Sequence, residues 1–325
     1  MKTKAPLFLI IYFLSFYCYS QLPKDFKFKE FVIKNNEDNI SFYIYNADSV
    51  LTNKPIFLYL QGSGPNSIFT KGKDGDISQS FIFPPSVVAK KYHFVIIGKP
   101  GVPFINDENN TKIDSLKYHS KTSLDYRVDI ANVVINYLLK QSFVDNKKLV
   151  VFGHSEGAQI APKLAYINKS ITHLACFSGT GITQMYDFIT NTRKSVENKE
   201  ITLELATKEI DSLFYYYNDI LKNPTSTNKF WQRHSYLRWY STIMNPPIEY
   251  LVKLNIPIYI VAGTEDQASP IENMDNIPIE FIKKGKTNLT YKYYWNLDHV
   301  YTDVVTKDSK IKDVLIDFLS WLNKN

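Results

Sequence analysis

One pentapeptide in this sequence couples a nucleophile to the backbone needed to expose it: Gly153-His154-Ser155-Glu156-Gly157. It follows the apolar run 149–152 and precedes the helix-like stretch 158–168, and strand-then-helix is the setting in which G-x-S-x-G forms a nucleophile elbow. Such a turn holds its serine in a strained conformation at a strand tip, and glycines flank it because strand and helix pass too close for a Cβ. A serine hydroxyl is a poor nucleophile until a base removes its proton, and that base needs an acid to orient it. Ser155 therefore calls for a histidine and a carboxylate from elsewhere in the chain.

Six histidines are available. His154 adjoins the serine and is expected to point elsewhere, His93 and His173 border strand-like runs, and His119 and His234 fall in a loop and an insertion. His299 follows the strand-like run 289–295 and a short loop, just ahead of the last helix, where the order Ser, acid, His expects the base. For the acid, the apolar run 257–262 ends in Gly263-Thr264-Glu265-Asp266, and the carboxyl end of a late strand is where open α/β sheets gather functional groups. Asp266 is the expected partner. Glu265 is its nearest rival, and Asp298 should project away from the neighbouring ring.

A tetrahedral intermediate also needs hydrogen-bond donors for its oxyanion. One is expected from the backbone N–H of Glu156, next to the nucleophile. The other is assigned to the N–H of Ser63, in the turn Gln61-Gly62-Ser63-Gly64-Pro65 that follows the run 55–60. Read instead as a phosphate cradle, that turn lacks the required lysine and spacing.

The elements that must position these groups are legible in the apolar pattern. Residues 26–46 alternate in two stretches split by Asn35, Asn36 and Asp38, which predicts a leading β-hairpin. Apolar runs at 55–60, 93–97, 148–152, 171–177 and 256–262 read as buried parallel strands. Between them, Leu124, Val128, Ala131, Ile135 and Leu138 make one face of a helix over 123–139, capped by Thr122 or Ser123. A terminal helix over 309–322 repeats the pattern. Strands alternating with amphipathic helices predict a mostly parallel, doubly wound α/β sheet. The stretch 182–245 exceeds a crossover and is read as a helical cap insertion into a core of 21–181 and 246–325. Its rings, Trp231, Tyr236 and Trp239 among them, are expected chiefly to pack the insertion against the sheet, a minority lining an apolar pocket.

Composition narrows the class. With 325 residues, 44% hydrophobic and 22% charged, the chain is an ordinary globular one. Lys2 and Lys4 precede an apolar run over 5–17, with small residues at Cys18 and Ser20, the layout of a signal peptide over 1–20 cut before Gln21. The run is too short for a stable membrane span, and a lipid anchor at Cys18 is the lesser alternative. Its removal leaves 36 basic against 32 acidic residues, scattered in a way that argues against nucleic acid. Cys176 then stands without a pairing partner, in an apolar run. The histidines show no metal-binding spacing, so neither metal nor cofactor is expected.

Taken together, Gln61-Gly62-Ser63-Gly64-Pro65, Gly153-His154-Ser155-Glu156-Gly157-Ala158, Gly263 to Asp266 and Asn296 to His299 resemble the α/β-hydrolase superfamily. Within it they are similar to bacterial carboxylesterases with an HGSGP loop and a GHSEGG elbow. Gln61 stands where that group has His, and Lys99-Pro100-Gly101 where it commonly has an Arg-Gly turn. The resemblance implies an α/β-hydrolase fold and an exported serine hydrolase that cleaves small or apolar esters through an acyl-enzyme, with no cofactor. Two alternatives stand beside it: an exported serine peptidase of the same fold, and a catalytically silent fold that binds a ligand.

Overall fold

A computed structural model describes residues 23–35, 38–45 and 52–325. The segment read as a signal peptide, with Cys18 and the Ser20–Gln21 junction, lies outside them. Eight strands form the central sheet: β1 (Phe28–Asn35), β2 (Asp38–Tyr45), β3 (Lys54–Leu60), β4 (His93–Ile97), β5 (Val144–His154), β6 (His173–Phe177), β7 (Ile258–Gly263) and β8 (Leu289–Tyr294). Their order is β1-β2-β4-β3-β5-β6-β7-β8. The leading hairpin joins antiparallel through β2 and β4, and every later pairing is parallel.

Seven helices matter for the site and its support: α1 (Leu124–Leu138), α2 (Glu156–Ile167), α3 (Gln184–Glu197), α4 (Leu203–Lys222), α5 (Tyr236–Ile243), α6 (Asn276–Lys283) and α7 (Ile311–Lys324). The Ser123 hydroxyl caps α1 by accepting from the Tyr126 N–H. Strand alternation then sorts the core by shape. Ile56, Leu58, Leu149, Val151, Ile258 and Ile260 turn to one face, under α1, α2 and α6. Their neighbours Phe57, Tyr59, Val150, Phe152, Tyr259 and Val261 turn to the other, under α7. One layer is therefore mostly aliphatic, and the opposite one is a ring cluster closed by Phe318 and Trp321. Cys176 is buried among the aliphatic residues.

Two features depart from the sequence reading. Phe69–Lys71, Ile77–Gln79 and Ile105–Asp107 form a separate three-stranded sheet with Phe69–Lys71 in the middle. These strands are too short for their periodicity to register. The long β6–β7 connection holds α3, α4 and α5 but also a small hairpin, Phe230–Trp231 with His234–Ser235. Its rings pack mostly on one another: Trp231, Tyr236 and Trp239 make a cluster with Met185, Ile220 and Ile243, separate from the two sheet layers.

Parallel register delivers the functional segments to one edge. Leu60 at the end of β3 pairs with Gly153 of β5, His154 with Phe177 of β6, and Gly263 of β7 with Tyr294 of β8. The Gln61 turn, Ser155, Ser178, the Asp266 turn and the loop leading to His299 all emerge there.

Candidate active site

Ser155 sits between β5 and α2 with φ 56° and ψ −122°, in the left-handed region that costs a non-glycine residue energy. Surrounding backbone enforces it. The Ser155 N–H donates to the Phe177 carbonyl (3.0 Å), and its own carbonyl accepts from the Ala158 N–H (2.9 Å). A Cβ on Gly157 would lie 2.0 Å from the Leu60 oxygen, and one on Gly153 2.2 Å from the Gly157 oxygen. Both flanking glycines are thus required by contact between β3, β5 and α2.

His299 Nδ1 meets the two carboxylate oxygens of Asp266 at 3.0 and 2.8 Å. The carboxylate can only accept, so Nδ1 carries the proton and Nε2 is left as the basic nitrogen. Asp266 is 2% exposed and its Oδ1 also accepts from the N–H groups of Ala268 and Ser269, whereas Glu265 is exposed. Asp298 turns to the Val300 and Thr302 N–H groups and shapes the loop. Ser155 and His299 line one open cavity of about 740 Å³, with Gln61, Gly62 and Ser63 on its rim. Among the described residues the Ser155 hydroxyl makes no hydrogen bond; in unliganded sites such contacts commonly tighten only around substrate.

His154, expected to point elsewhere, faces the site. Its Nε2 donates to the His299 carbonyl at 3.0 Å, and the two rings lie 5.0 Å apart. Burial, aided by repulsion from His299, pulls its pKa down to about 3, so the ring is neutral. The Ser178 hydroxyl binds the same carbonyl at 2.9 Å and also contacts the buried Tyr301 hydroxyl. The loop carrying the candidate base is therefore pinned from two strands.

The Gln61 turn approaches from the other side. A Cβ on Gly62 would stand 3.2 Å from Ser155 Cβ, so glycine lets this backbone lie against the serine. Gln61 Nε2 donates to the Ser80 hydroxyl at 2.6 Å. Lys99 Nζ donates to the carbonyls of Gly62 (2.8 Å) and Gly64 (2.7 Å), with that of Ser63 at 3.5 Å. Arg127 donates to the Gln61 carbonyl at 2.8 Å. All peptides here are trans, so drawing the Gly62 carbonyl to Lys99 turns the Ser63 N–H to the opposite side. Burial and the Arg127 charge, partly offset by Glu156, bring the Lys99 pKa down to about 7.

Glu156 also presents a side chain whose role is not legible in the motif that contains it. It is 4% exposed, and burial would raise its pKa, but Arg238 and Arg127 hold the carboxyl well below the usual range. Arg127 NH1 binds Oε1, and Arg238 from α5 binds Oε2 through Nε and NH2, both at 2.7 Å. Arg127 thus ties the Gln61 turn to the residue after the serine, and Arg238 ties both to the β6–β7 connection. No ring of that connection lines the cavity over Ser155. No cluster able to hold a metal ion occurs among the described residues.

No family model and no curated protein matches the sequence. Solved structures do match in shape. The acylaminoacyl peptidase of Pyrococcus horikoshii superposes with a TM-score of 0.58 at 11% identity, over 90% of this chain and 41% of that one. A putative dipeptidyl aminopeptidase IV of Bacteroides ovatus gives 0.59 at 11%, over 92% and 36%. An α/β hydrolase of Penicillium gives 0.55 at 10%, over 91% and 98%. The chain spans about two fifths of the acylaminoacyl peptidases' length. These likenesses, with the strand order, show an α/β-hydrolase fold.

Proposed function

We propose that the chain is an exported serine hydrolase that cleaves carboxylic esters through Ser155, His299 and Asp266. One observation carries the reading: a serine at φ 56° shares a cavity with a histidine whose Nδ1 is held 2.8 Å from a buried carboxylate. Ser155 attacks the acyl carbon while His299 Nε2 accepts its proton. The proton then passes to the departing alkoxide, and water, activated by the same nitrogen, releases the acyl group. Asp266 keeps the imidazole in the required tautomer, and the N–H groups of Ser63 and Glu156 receive the developing oxyanion. No step calls for a cofactor. Export rests on the N-terminal pattern at residues 1–20.

Ser155→Ala is expected to lower kcat by ~10⁴ or more on 4-nitrophenyl acetate, the scale of triad members acting as a unit. A variant with wild-type turnover refutes the assignment. Fluorophosphonate labelling at Ser155 separates an active site from a silent fold. The peptidase reading draws support from the peptidases among the structural neighbours. It predicts faster turnover of aminoacyl-nitroanilides than of nitrophenyl esters.

A further inference from the structure

The cavity over Ser155 has a wall that the ester-cleaving reading does not explain. Ser63, Ser67, Thr70, Thr302 and Ser309 all line it, from the Gln61 turn, the three-stranded sheet and the loop beyond His299. None of their hydroxyls makes a hydrogen bond to another described residue. Ser67 is 2% exposed, and its hydroxyl is buried with no partner. A buried hydroxyl normally finds a partner, which singles out Ser67; Ser63, Thr70 and Thr302 are half-buried and Ser309 is exposed, so their hydroxyls stand open to water or to a ligand in the cavity.

Charge adds little to this wall. Lys99 reaches the cavity, but its ammonium is committed to the loop carbonyls, which leaves Glu108 as an exposed acid at the margin. The β6–β7 rings are absent, and the apolar face is made by Phe81, Ile82, Val300 and Ile311. An alkyl ester would strip water from these hydroxyls and return no hydrogen bond. A peptide amino terminus would need a buried carboxylate, and none lines the cavity. A sugar ring supplies what the wall lacks: hydroxyls that both donate and accept, with a C–H face for the apolar patch.

Building on the Ser155 reading, we propose that the substrate is an acylated carbohydrate, with the saccharide seated among Ser67, Thr70 and Thr302 and its ester carbonyl at Ser155. Atoms balance as in any acyl transfer: the acyl–oxygen bond breaks, the sugar hydroxyl leaves with the proton from His299, and water takes the acyl group.

The test compares a mono-acetylated methyl xyloside with cyclohexyl acetate, a ring ester of similar shape without the hydroxyls, using 4-nitrophenyl acetate as the reference. The proposal expects kcat/KM for the sugar ester to exceed that for cyclohexyl acetate by ~10-fold or more, as a site built for hydroxyls rejects an analogue lacking them. Thr70→Val and Thr302→Val, which keep side-chain shape, should each cut that ratio at least ~5-fold. Equal or reversed preference, with 4-nitrophenyl acetate still cleaved in a Ser155-dependent way, overturns the carbohydrate assignment alone. So does an unchanged ratio in both variants, or a stronger preference for an aminoacyl-nitroanilide. Protein that leaves 4-nitrophenyl acetate intact overturns the ester reading and this proposal with it.

Discussion

Lys99→Met tests whether the loop above Ser155 is held in shape by a cation. In the structure Nζ makes two short bonds, to the Gly62 and Gly64 carbonyls at 2.8 and 2.7 Å. Hydrogen bonds to charged groups contribute ~1.5–3 kcal/mol each, so this pair contributes ~3–6 kcal/mol. Against that stands the cost of keeping an ammonium beneath the loop beside Arg127, which lowers the pKa from 10.5 to about 7. At ~1.4 kcal/mol per unit, that cost is roughly 5 kcal/mol. The two effects nearly cancel, and methionine, matching the aliphatic stem, removes both. The fold should therefore lose less than ~2 kcal/mol.

Catalysis has no such compensation. Deleting an oxyanion donor costs ~10²–10³ in kcat, and a loop that drifts rather than disappears should lose ~10–100-fold. The assay is steady-state hydrolysis of 4-nitrophenyl acetate, with thermal unfolding measured in parallel. Lys99→Met should lower kcat with KM within ~3-fold if the loop supplies the oxyanion donor proposed for it, since such a donor acts on the transition state. Lys99→Arg, which can bond the same carbonyls, should recover most of the loss. Wild-type kcat in Lys99→Met would refute the brace, and a raised KM with intact kcat would make Lys99 a substrate contact instead.

Three further outcomes are expected. Glu156→Gln leaves Arg127 and Arg238 buried without their counter-charge and should cost ~3–5 kcal/mol in urea unfolding. Adding Arg238→Met should recover part of that loss, and strict additivity would deny the coupling. Gly157→Ala forces a Cβ to within 2.0 Å of the Leu60 oxygen, so α2 must move off β3; fluorophosphonate labelling of Ser155 should vanish, and retained labelling would contradict the packing. Asp187 on α3 has its pKa raised to about 7 by burial, with Asn273 and Thr180 hydrogen bonds opposing the rise. The folded state then holds a proton that the unfolded one releases near its ordinary 3.8, so this group's stabilisation is full below that value and is lost as pH rises through about 7. Unfolding midpoints from pH 4 to 8 should fall less steeply in Asp187→Asn than in wild type, and parallel profiles would show that Asp187 is ionised throughout.

The strands and helices that carry the site could be read directly because each announces itself locally. The run 93–97 recurs as β4, and the face of Leu124, Val128, Ala131, Ile135 and Leu138 is the buried face of α1. The three-stranded sheet has no such local signature, since three residues are too few to show a period and one neighbour of its central strand, Ile105–Asp107, lies 36 residues further along the chain. The orientation of His154 is not legible for a related reason: adjacency to Ser155 says nothing about which backbone its ring will meet, and the partner, His299, is 145 residues away.

Residue types and order determined the chemistry on offer, from the glycine-flanked serine to the late acid and histidine, because a strand-turn-helix and its apolar period are local properties of the chain. The tertiary structure alone decided what surrounds that chemistry. It brought Arg127 and Arg238, 29 and 82 residues from Glu156, onto one buried carboxylate, and it walled the cavity with hydroxyls. The physical reason is that burial and pairing set the worth of a charge or a hydroxyl, and both arise only when parallel strands bring distant loops to the same edge of a sheet.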